Sequence, residues 1–557
     1  MKKIFGFLIS TIIAGTALQS CHKLDIVSNS EYTPAVFPTT EAQFQSVIGP
    51  IYTHLRNIYQ GDQLTFDLST DQSILPAYGG NWYDGNKYQE LHRHTWTKDN
   101  AWVNSTYSDA AYLVGLANQT LFILKEAPDG PAKNAGVAEV KAMRALGFFL
   151  LMDGFGGVPL DTLYGVTELK ERATRTQVFN YIESELKSVL PNLKTASGPT
   201  TYGKPNRYFA FSLLAKMYLN AEVYTGTAKL NECIAACDSV ISAGGGSQYV
   251  VEPRASYLQM FYPTNGPSMK EFIFAIPFDG ATSNGYYFPA RYDLNRNLGI
   301  RYKYSGSTAG TNVDPIINLT TGNGLVHSKP SGPRATLSTF LNYFLSDAND
   351  IRLKQWLYGP QTWEDGTPIM VKTTKKGYDQ FYTASDGGTA LNYALVIDTA
   401  IKLRQNDALF DCGNDEIAWN QGARNIKFLA DYLNTASRNQ GNDVPLFRIS
   451  DILLMKAEAI QRGGTATNGQ TALSLVNTIR SNRTTSSAWT SVTLEDIYQE
   501  RCRELAWEFW HRNDMIRFGK YENAWGFKYN TDIYRRLYPI PTVALSANSK
   551  LTQNPGY

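Results

Sequence analysis

The chain has 557 residues, of which 43% are hydrophobic and 18% charged, and this is enough apolar material for a large core. Its 52 Lys and Arg residues nearly balance its 50 Asp and Glu residues, which argues against a nucleic-acid-binding protein, because such proteins carry a basic excess. Aromatic residues are plentiful, with 34 Tyr, 26 Phe and 10 Trp. A weakly charged chain rich in aromatics suits a neutral, partly apolar ligand such as a sugar, although large cores use the same residues.

The first 21 residues predict export from the cytoplasm. Lys2 and Lys3 are followed by an apolar run over 4–17 and then by Leu-Gln-Ser-Cys, which ends at Cys21. A basic start, a short apolar run and small residues are typical of a secretory signal peptide, here over residues 1–20. The run is shorter than the roughly 20 apolar residues of a membrane-spanning helix. The Cys after Leu-Gln-Ser resembles a bacterial lipobox, so we expect Cys21 to be the acylated first residue of the mature chain; an ordinary signal peptide with an incidental Cys is the alternative.

Beyond an extended tether over 21–38, apolar residues recur at helical spacing in two long parts of the chain. The first part starts with a capped helix at residue 39 and is interrupted by a Gly-, Asn- and Trp-rich loop over 60–100. The pattern predicts further helices at 100–126, 134–153, 174–190, 206–224, 228–243, 446–463, 468–482 and 494–518.

These helices follow one another in pairs joined by short turns, which is typical of stacked hairpins of the tetratricopeptide type. The helical period is lost between residues 247 and 444, where Gly, Pro, Asn, Thr and Tyr dominate and only short strands, such as 271–277 and 394–401, are indicated. We therefore predict a mainly α protein with a helical scaffold over 39–246 and 445–557. A large, loop-rich and irregular insert over 247–444 would carry the ligand-facing surface of this one composite domain.

Three groups of residues raise other chemistry, none of it strongly. Cys233 and Cys237 share a helix face and are small buried residues or, less favoured, a disulfide. His92 and His94 would point to one side of a strand, as a zinc pair does, but no third ligand is near in sequence. The acidic stretch 347–350 offers oxygen ligands without the spacing of an EF-hand loop. The sequence predicts no metal and no cofactor.

Several blocks of the chain resemble one family from end to end. They are EVKAMRALGFFLLMDGFGGVPL at 139–160, VPLFRISDILLMKAEAIQRGG at 444–464, IYQERCRELAWEFWHRNDMIRFGK at 497–520 and the C-terminal PIPTVALSANSKLTQNPGY. With the lipobox Cys, they are similar to the SusD/RagB family of outer-membrane nutrient-binding lipoproteins. The pair Trp510 and His511 departs from the small residue that the family pattern has there. The charged residues of these blocks have helical spacing, and we expect ion pairs that fix helix packing from Arg144, Arg448, Glu458, Glu500, Arg501, Glu504, Arg512, Asp514 and Arg517.

The resemblance implies a non-catalytic, lipid-anchored protein on the surface of a Gram-negative bacterium. Such a protein captures an oligosaccharide and delivers it to a SusC-like TonB-dependent transporter, over which it lies as a hinged lid. A RagB-like role in peptide uptake is the alternative, and a surface glycosidase or a purely adhesive protein is less favoured. A glycosidase would need two carboxylates facing each other across a cleft, which a sequence does not display.

Candidate ligand-binding residues lie in the loops between helices. In the stretch DLSTDQSILPAYGGNWYDGNKYQELHRHTWTKDNAW, Trp82 is the first candidate, because Gly79-Gly80 and Asp84-Gly85 favour an exposed turn around it. The resemblance implies that aromatic and acidic residues of this stretch and of the insert form the ligand face. The full set of candidates is Trp82, Asp71, Asp84, Tyr83, Trp96, Trp363, Arg404 and Tyr393, with Tyr286, Tyr287, Trp356 and Tyr378 as weaker ones; Trp96, Trp102 and Asp71 could instead be structural.

Overall fold

The computed structural model describes residues 37–282, 285–298, 331–362, 366, 368–373, 375–377, 380–381, 391–404, 409–431 and 438–557. Cys21 and the signal peptide, Trp363 and Tyr378 lie outside the described residues. Over the described ranges the protein is mainly α-helical, and the helices stack in antiparallel pairs. No helix in these ranges combines the length and the apolar character that crossing a membrane requires.

The first helical part contains nine helices within the described ranges. They are α1 (Glu41–Gly61), α2 (Gln63–Leu68), α3 (Lys87–Arg93), α4 (Ala101–Lys125), α5 (Pro131–Phe155), α6 (Arg175–Val189), α7 (Arg207–Leu219), α8 (Ala221–Thr225) and α9 (Leu230–Ile241). Their starts follow from local sequence. The side chains of Thr40 and Thr174 each accept a hydrogen bond from the backbone N–H three residues on, and the Gln side chain at that position accepts one from the backbone N–H of the Thr. The side chains of Asn100 and Asn206 cap α4 and α7 by accepting hydrogen bonds from following backbone N–H groups.

The insert contains short strands and short helices. They are β1 (Phe272–Ile276), a π-helix (Pro289–Asp293), α10 (Ser338–Leu345), β2 (Trp356–Leu357), β3 (Gly359–Pro360), β4 (Met370–Thr373), β5 (Lys375–Gly377), β6 (Gln380–Phe381), β7 (Leu391–Ala394), β8 (Val396–Ile397), α11 (Glu416–Trp419) and β9 (Arg424–Asn425). The second helical part follows with β10 (Val444–Arg448), α12 (Ile449–Gln461), α13 (Ala472–Arg480), α14 (Leu494–Leu505), α15 (His511–Arg517) and α16 (Thr542–Ala547). Strands pair antiparallel in twos: β1 with β10, β2 with β9, β3 with β8, β4 with β7 and β5 with β6.

The two helical parts form one stack. α4 packs on α1 and α5, α5 packs on α6, and α7 packs on α9. α9 in turn packs on α12, so the helices before and after the insert are direct neighbours. Close approach of α4 and α5 depends on Gly147, where an added Cβ would lie 2.9 Å from the side chain of Val114. The sheet pair β1–β10 joins the two ends of the insert beside this stack.

The structure corrects three details of the predicted elements. The segment 494–518 is two helices, because Trp507 and Phe509 adopt positive φ angles of 60° and 77° and break the chain direction. The segment 206–224 is also divided, into α7 and α8. His92 and His94 lie in α3 and at its left-handed end rather than in a strand.

The charges of the motif blocks are buried and paired, as predicted. Glu504 is fully buried and accepts hydrogen bonds from Arg448 at 2.9 Å, Arg483 at 2.9 Å and Arg352 at 3.0 Å. Burial alone would raise the pKa of Glu504, but the arginines, Arg483 first, hold it well below its usual range. Arg352 belongs to the insert and Glu504 to α14, so this network fixes the insert to the scaffold.

Further pairs hold the helices of the stack. They are Arg144–Glu185, Arg501–Asp514, Arg517–Glu458 and Arg512–Asp153, and Glu500 pairs with Arg352. Cys233 and Cys237 are buried free thiols, so α9 contains no disulfide. Within the described ranges no cluster of three or more His, Cys, Asp or Glu side chains could hold a metal ion.

Candidate functional site

The best candidate site is an exposed turn over residues 79–86, here called the Trp82 turn. Tyr78 and Asn81 exchange both backbone hydrogen bonds around Gly79-Gly80, whose φ angles are 61° and 83°. Two positive φ angles in a two-residue loop are typical of a type I′ turn, and glycine adopts them without a steric cost. The Gly-Gly pair therefore reverses the chain so that Asn81 is exposed, while Trp82 after it packs with one part of its ring on the core and stays partly exposed.

Three residues of the Trp82 turn that are not glycine also have positive φ angles: 64° at Trp82, 44° at Asp84 and 70° at Asn86. Such conformations cost free energy and persist only where the surrounding structure fixes them; they are frequent at functional sites. Here the surroundings do so through a hydrogen bond of 3.0 Å from the side chain of Gln89 to the Trp82 carbonyl.

The insert fixes the same turn from the other side. The carboxylate of Asp411 accepts backbone hydrogen bonds from Gly79 at 2.7 Å and Gly80 at 2.9 Å, and a third from Gly413 at 2.6 Å. The segment after Leu75 also forms a parallel bridge between Ala77 and Asp411. The turn is thus fixed to a chain segment more than 300 residues away in sequence.

Trp82 is partly buried and rests on two buried rings beside a cation. Its ring centroid lies 5.4 Å from that of Tyr292 and 6.2 Å from that of Tyr88, and both tyrosines are buried. The guanidinium carbon of Arg291 lies 5.0 Å from the Trp82 ring centroid. Tyr83 is also partly exposed, and Asp84 is exposed and pairs with Lys87 at 3.4 Å. One surface therefore offers rings, a carboxylate and cations to a ligand.

A groove of about 410 Å³ lies on the insert close to the Trp82 turn. Its lining is Tyr358, Gly359, Ala394, Val396, Ile397, Asp398, Thr399, Ile417, Asn420 and Gln421. α11 connects the groove with the Trp82 turn, because Trp419 at the end of α11 stacks on Tyr78, directly before the turn, with 4.1 Å between ring centroids. Val396 and Ile417 expose 45% and 48% of their surface, so this groove has an apolar wall open to solvent.

The structure brings four of the predicted residues together. Trp82, Tyr83 and Asp84 belong to the turn, and Arg404 lies beside it, because its backbone N–H donates to the Asp411 carbonyl at 2.7 Å. The Arg404 side chain pairs with Asp415 at 2.6 Å.

One other predicted residue is near the groove rather than the turn: Tyr393 belongs to β7, next to the groove residue Ala394. Trp363 lies outside the described residues.

Other predicted residues are not part of this surface. Trp96 is fully buried and donates from its indole N–H to the Tyr557 hydroxyl at 2.8 Å, so it does not reach a ligand in this conformation. Asp71 lies 2.6 Å from the ring of His511 and ties the loop to α15. Burial opposes protonation of His511, but Cys502 and Asp71 outweigh it and raise its pKa to about 10.

The weaker candidates are also largely structural. Tyr286 is fully buried and donates to Gln63 at 2.7 Å, and Trp356 is buried in the core. The rings of His92 and His94 hydrogen-bond to backbone carbonyls at 2.7 Å and 2.9 Å, and burial lowers the pKa of His92 to about 4. Both histidines are therefore structural residues.

Sequence reasoning missed Arg291 and Asp411. Asp411 had a local signal, because Asp-Cys-Gly is a sequence in which an Asp side chain accepts from the backbone two residues on. Arg291 had none, since only the tertiary structure places it on Trp82.

Comparison with known proteins decides the family. The model of the SusD family matches residues 270–557, which is more than half of the chain. The chain belongs to the SusD family. A second model of this group, described as starch-binding and associating with the outer membrane, matches residues 24–219.

Two curated relatives extend this SusD assignment. The starch-binding protein SusD of Bacteroides thetaiotaomicron is 26% identical over 459 residues, covering 75% of this chain and 72% of its own. The SusD-like protein P38 of Formosa agariphila is 23% identical over 491 residues, covering 84% and 83%.

Solved structures have the same SusD fold. A laminarin-binding SusD-like protein superposes with a TM-score of 0.67 at 20% identity, covering 93% of this chain and 100% of its own. Surface glycan-binding protein A from Bacteroides thetaiotaomicron, in complex with laminarihexaose, gives a TM-score of 0.64 at 18% identity, with 93% and 100% covered. At these identities the likeness establishes the fold of this SusD family member and leaves its ligand open.

Proposed function

We propose that this SusD family protein captures an oligosaccharide at the cell surface without cleaving it, and that the Trp82 turn is part of the binding surface. The observation that carries the proposal is a partly exposed Trp82 in a strained backbone conformation, with its carbonyl bound by Gln89 and the glycines before it bound by Asp411. Aromatic rings bind the C–H faces of sugars, and nearby polar groups bind the hydroxyls. Relatives that bind starch, laminarin and laminarihexaose support the ligand class.

The proposal includes attachment and a partner. Acylation at Cys21 would hold the mature chain to the outer membrane, and a SusC-like TonB-dependent transporter would receive the ligand. A family model described as associating with the outer membrane supports this location. Replacement of Cys21 by Ala should abolish incorporation of a labelled fatty acid, and an unchanged label would contradict lipidation. Purification of the native protein from detergent-solubilised outer membranes should bring a TonB-dependent transporter with it.

Binding is tested with the purified mature protein against a panel of polysaccharides, by affinity electrophoresis followed by calorimetric titration. We expect retardation on at least one polysaccharide without the appearance of new reducing ends. Release of sugars would indicate a glycosidase, and binding of peptides alone would favour the RagB-like alternative.

The role of the turn is tested by Trp82→Ala. Loss of one aromatic contact should weaken binding by about 1–3 kcal/mol without unfolding the scaffold. Tyr529→Ala is the matched control, because Tyr529 is 73% exposed and its substitution removes an aromatic ring outside the Trp82 turn. Equal affinity of Trp82→Ala and the control would remove Trp82 from the site.

A further inference from the structure

Arg291 is the least explained charge on the candidate surface. It lies in the π-helix of the insert and is partly exposed. Its guanidinium carbon is 5.0 Å from the Trp82 ring centroid and 5.6 Å from that of Tyr292. Among the described residues its side chain makes no ion pair and no hydrogen bond, in contrast to most arginines of this chain.

The carboxylates nearest to Arg291 along the chain and on the turn already pair with other cations. Asp293, two residues on, points the other way and pairs with the buried Arg334 at 2.8 Å. Asp84 pairs with Lys87 at 3.4 Å. Asp62, which lies near Tyr287, is fully buried, and burial raises its pKa well above the usual range.

The orientation of Arg291 leaves its donors available. The contacts with Trp82 and Tyr292 are made to rings, which accept no N–H donor of the guanidinium group as a carboxylate would, so these donors stay available to a ligand. A planar fork of this kind binds a carboxylate or a sulfate through two parallel hydrogen bonds. Lys87, 4.9 Å from the Tyr88 ring centroid, lies on the same surface but is paired with Asp84 at 3.4 Å, so the case for an anionic ligand depends on Arg291.

We propose that the Trp82 turn recognises a saccharide that carries an anionic group, with Arg291 donating to the anion while Trp82 and Tyr83 contact the sugar ring. The inference rests on the proposed function and narrows its ligand to acidic glycans. The anion is the carboxylate of a uronic acid or a sulfate ester, two sources with the same chemistry for Arg291. The overall composition suggests a neutral ligand instead. The two expectations differ because the ligand contacts the charges of the binding surface and not the net charge of the whole chain.

The test uses pairs of polysaccharides that share a backbone and differ in charge: polygalacturonate with its full methyl ester, alginate with its propylene glycol ester, and dextran sulfate with dextran. The mature protein is titrated calorimetrically with each member at 50 and 500 mM NaCl. We expect the acidic member of at least one pair to bind about tenfold tighter or more at low salt, with the difference reduced at high salt. Preference within the first two pairs identifies a uronate, and preference within the last a sulfate ester.

Arg291→Gln should remove the preference for the acidic member of a pair, and Arg291→Lys should keep only part of that preference. Arg207→Gln is the matched control, since Arg207 is also partly buried without an ion pair in the described chain and lies at the start of α7. Thermal unfolding of each variant shows that it is folded.

Two results would overturn the inference: equal affinity for both members of every pair, or an acidic preference that survives Arg291→Gln. Tight binding of a neutral glycan alone would overturn the acidic ligand and leave the proposed function standing. Absence of binding to every polysaccharide would contradict both.

Discussion

Asp411 offers the sharpest test of how the candidate site is built. Asp411→Ala removes the acceptor of the Gly79 and Gly80 N–H groups, at 2.7 Å and 2.9 Å, while leaving the aromatic residues in place. A hydrogen bond to a charged group contributes about 1.5–3 kcal/mol, and the low end applies here because Asp411 is partly exposed. Loss of both bonds then destabilises the ordered turn by about 3 kcal/mol.

The assay is amide hydrogen exchange of the peptide that covers the Trp82 turn, read alongside ligand titration. At about 1.4 kcal/mol per tenfold change, 3 kcal/mol corresponds to roughly a hundredfold loss of protection at Gly79 and Gly80. Ligand affinity should fall by no more than the same factor, because binding must then order the turn again. Asp411→Asn keeps one carbonyl acceptor and should give an intermediate effect.

The reasoning would be refuted if Asp411→Ala left both the exchange of this peptide and the affinity unchanged. In that case the strained angles at Trp82, Asp84 and Asn86 would be fixed by the Gln89 bond and ring packing alone. Asp398→Ala is the control for a carboxylate removed from the neighbouring groove, and it should leave exchange at Gly79 and Gly80 as in the wild type.

Three further predictions concern the scaffold. Glu504→Gln should lower the free energy of unfolding by about 3–5 kcal/mol, measured by urea denaturation, because it leaves buried arginines without their charged partner; a loss below 1 kcal/mol would contradict this role. Asp71→Asn should lower the free energy of unfolding most below pH 6.5. Its difference from wild type should disappear as pH rises through about 10, because His511 has a raised pKa and loses its charge, and with it the ion pair, over this range. A difference that is independent of pH between 6 and 10 would count against the ion pair. Gly157→Ala should lower the melting temperature, because an added Cβ would collide with the Ala173 carbonyl, whereas Gly245→Ala, with open space around the Cβ but a φ of 70°, should cost less.

The scaffold was predictable because its signals are local. The helix predicted at 174–190 is found at Arg175–Val189, and Thr174 caps it. The break at Trp507 and Phe509 was missed because aromatic residues give no local warning of positive φ angles. Packing against Arg334 and Phe66, which lie far away in sequence, accompanies that break.

The candidate site was predictable only in part. Gly79-Gly80 marked the turn, since glycine pairs with positive φ angles have a sequence signature. Arg291 reaches Trp82 across about 200 residues of chain, a contact that no spacing rule encodes. Burial of Trp96 and pairing of Asp71 likewise depend on the C-terminal segment, which contributes Tyr557 and His511.

The network around Glu504 limits which positions of this protein can diverge in sequence. Insert positions such as Arg334, Arg352 and Lys427 have buried partners in the helical parts, so a substitution at one of them must be matched by a change in its partner. Exchange at an exposed position such as Val396, 45% of whose surface faces solvent in the groove, leaves the network around Glu504 unchanged, so the groove can vary while the fold is kept.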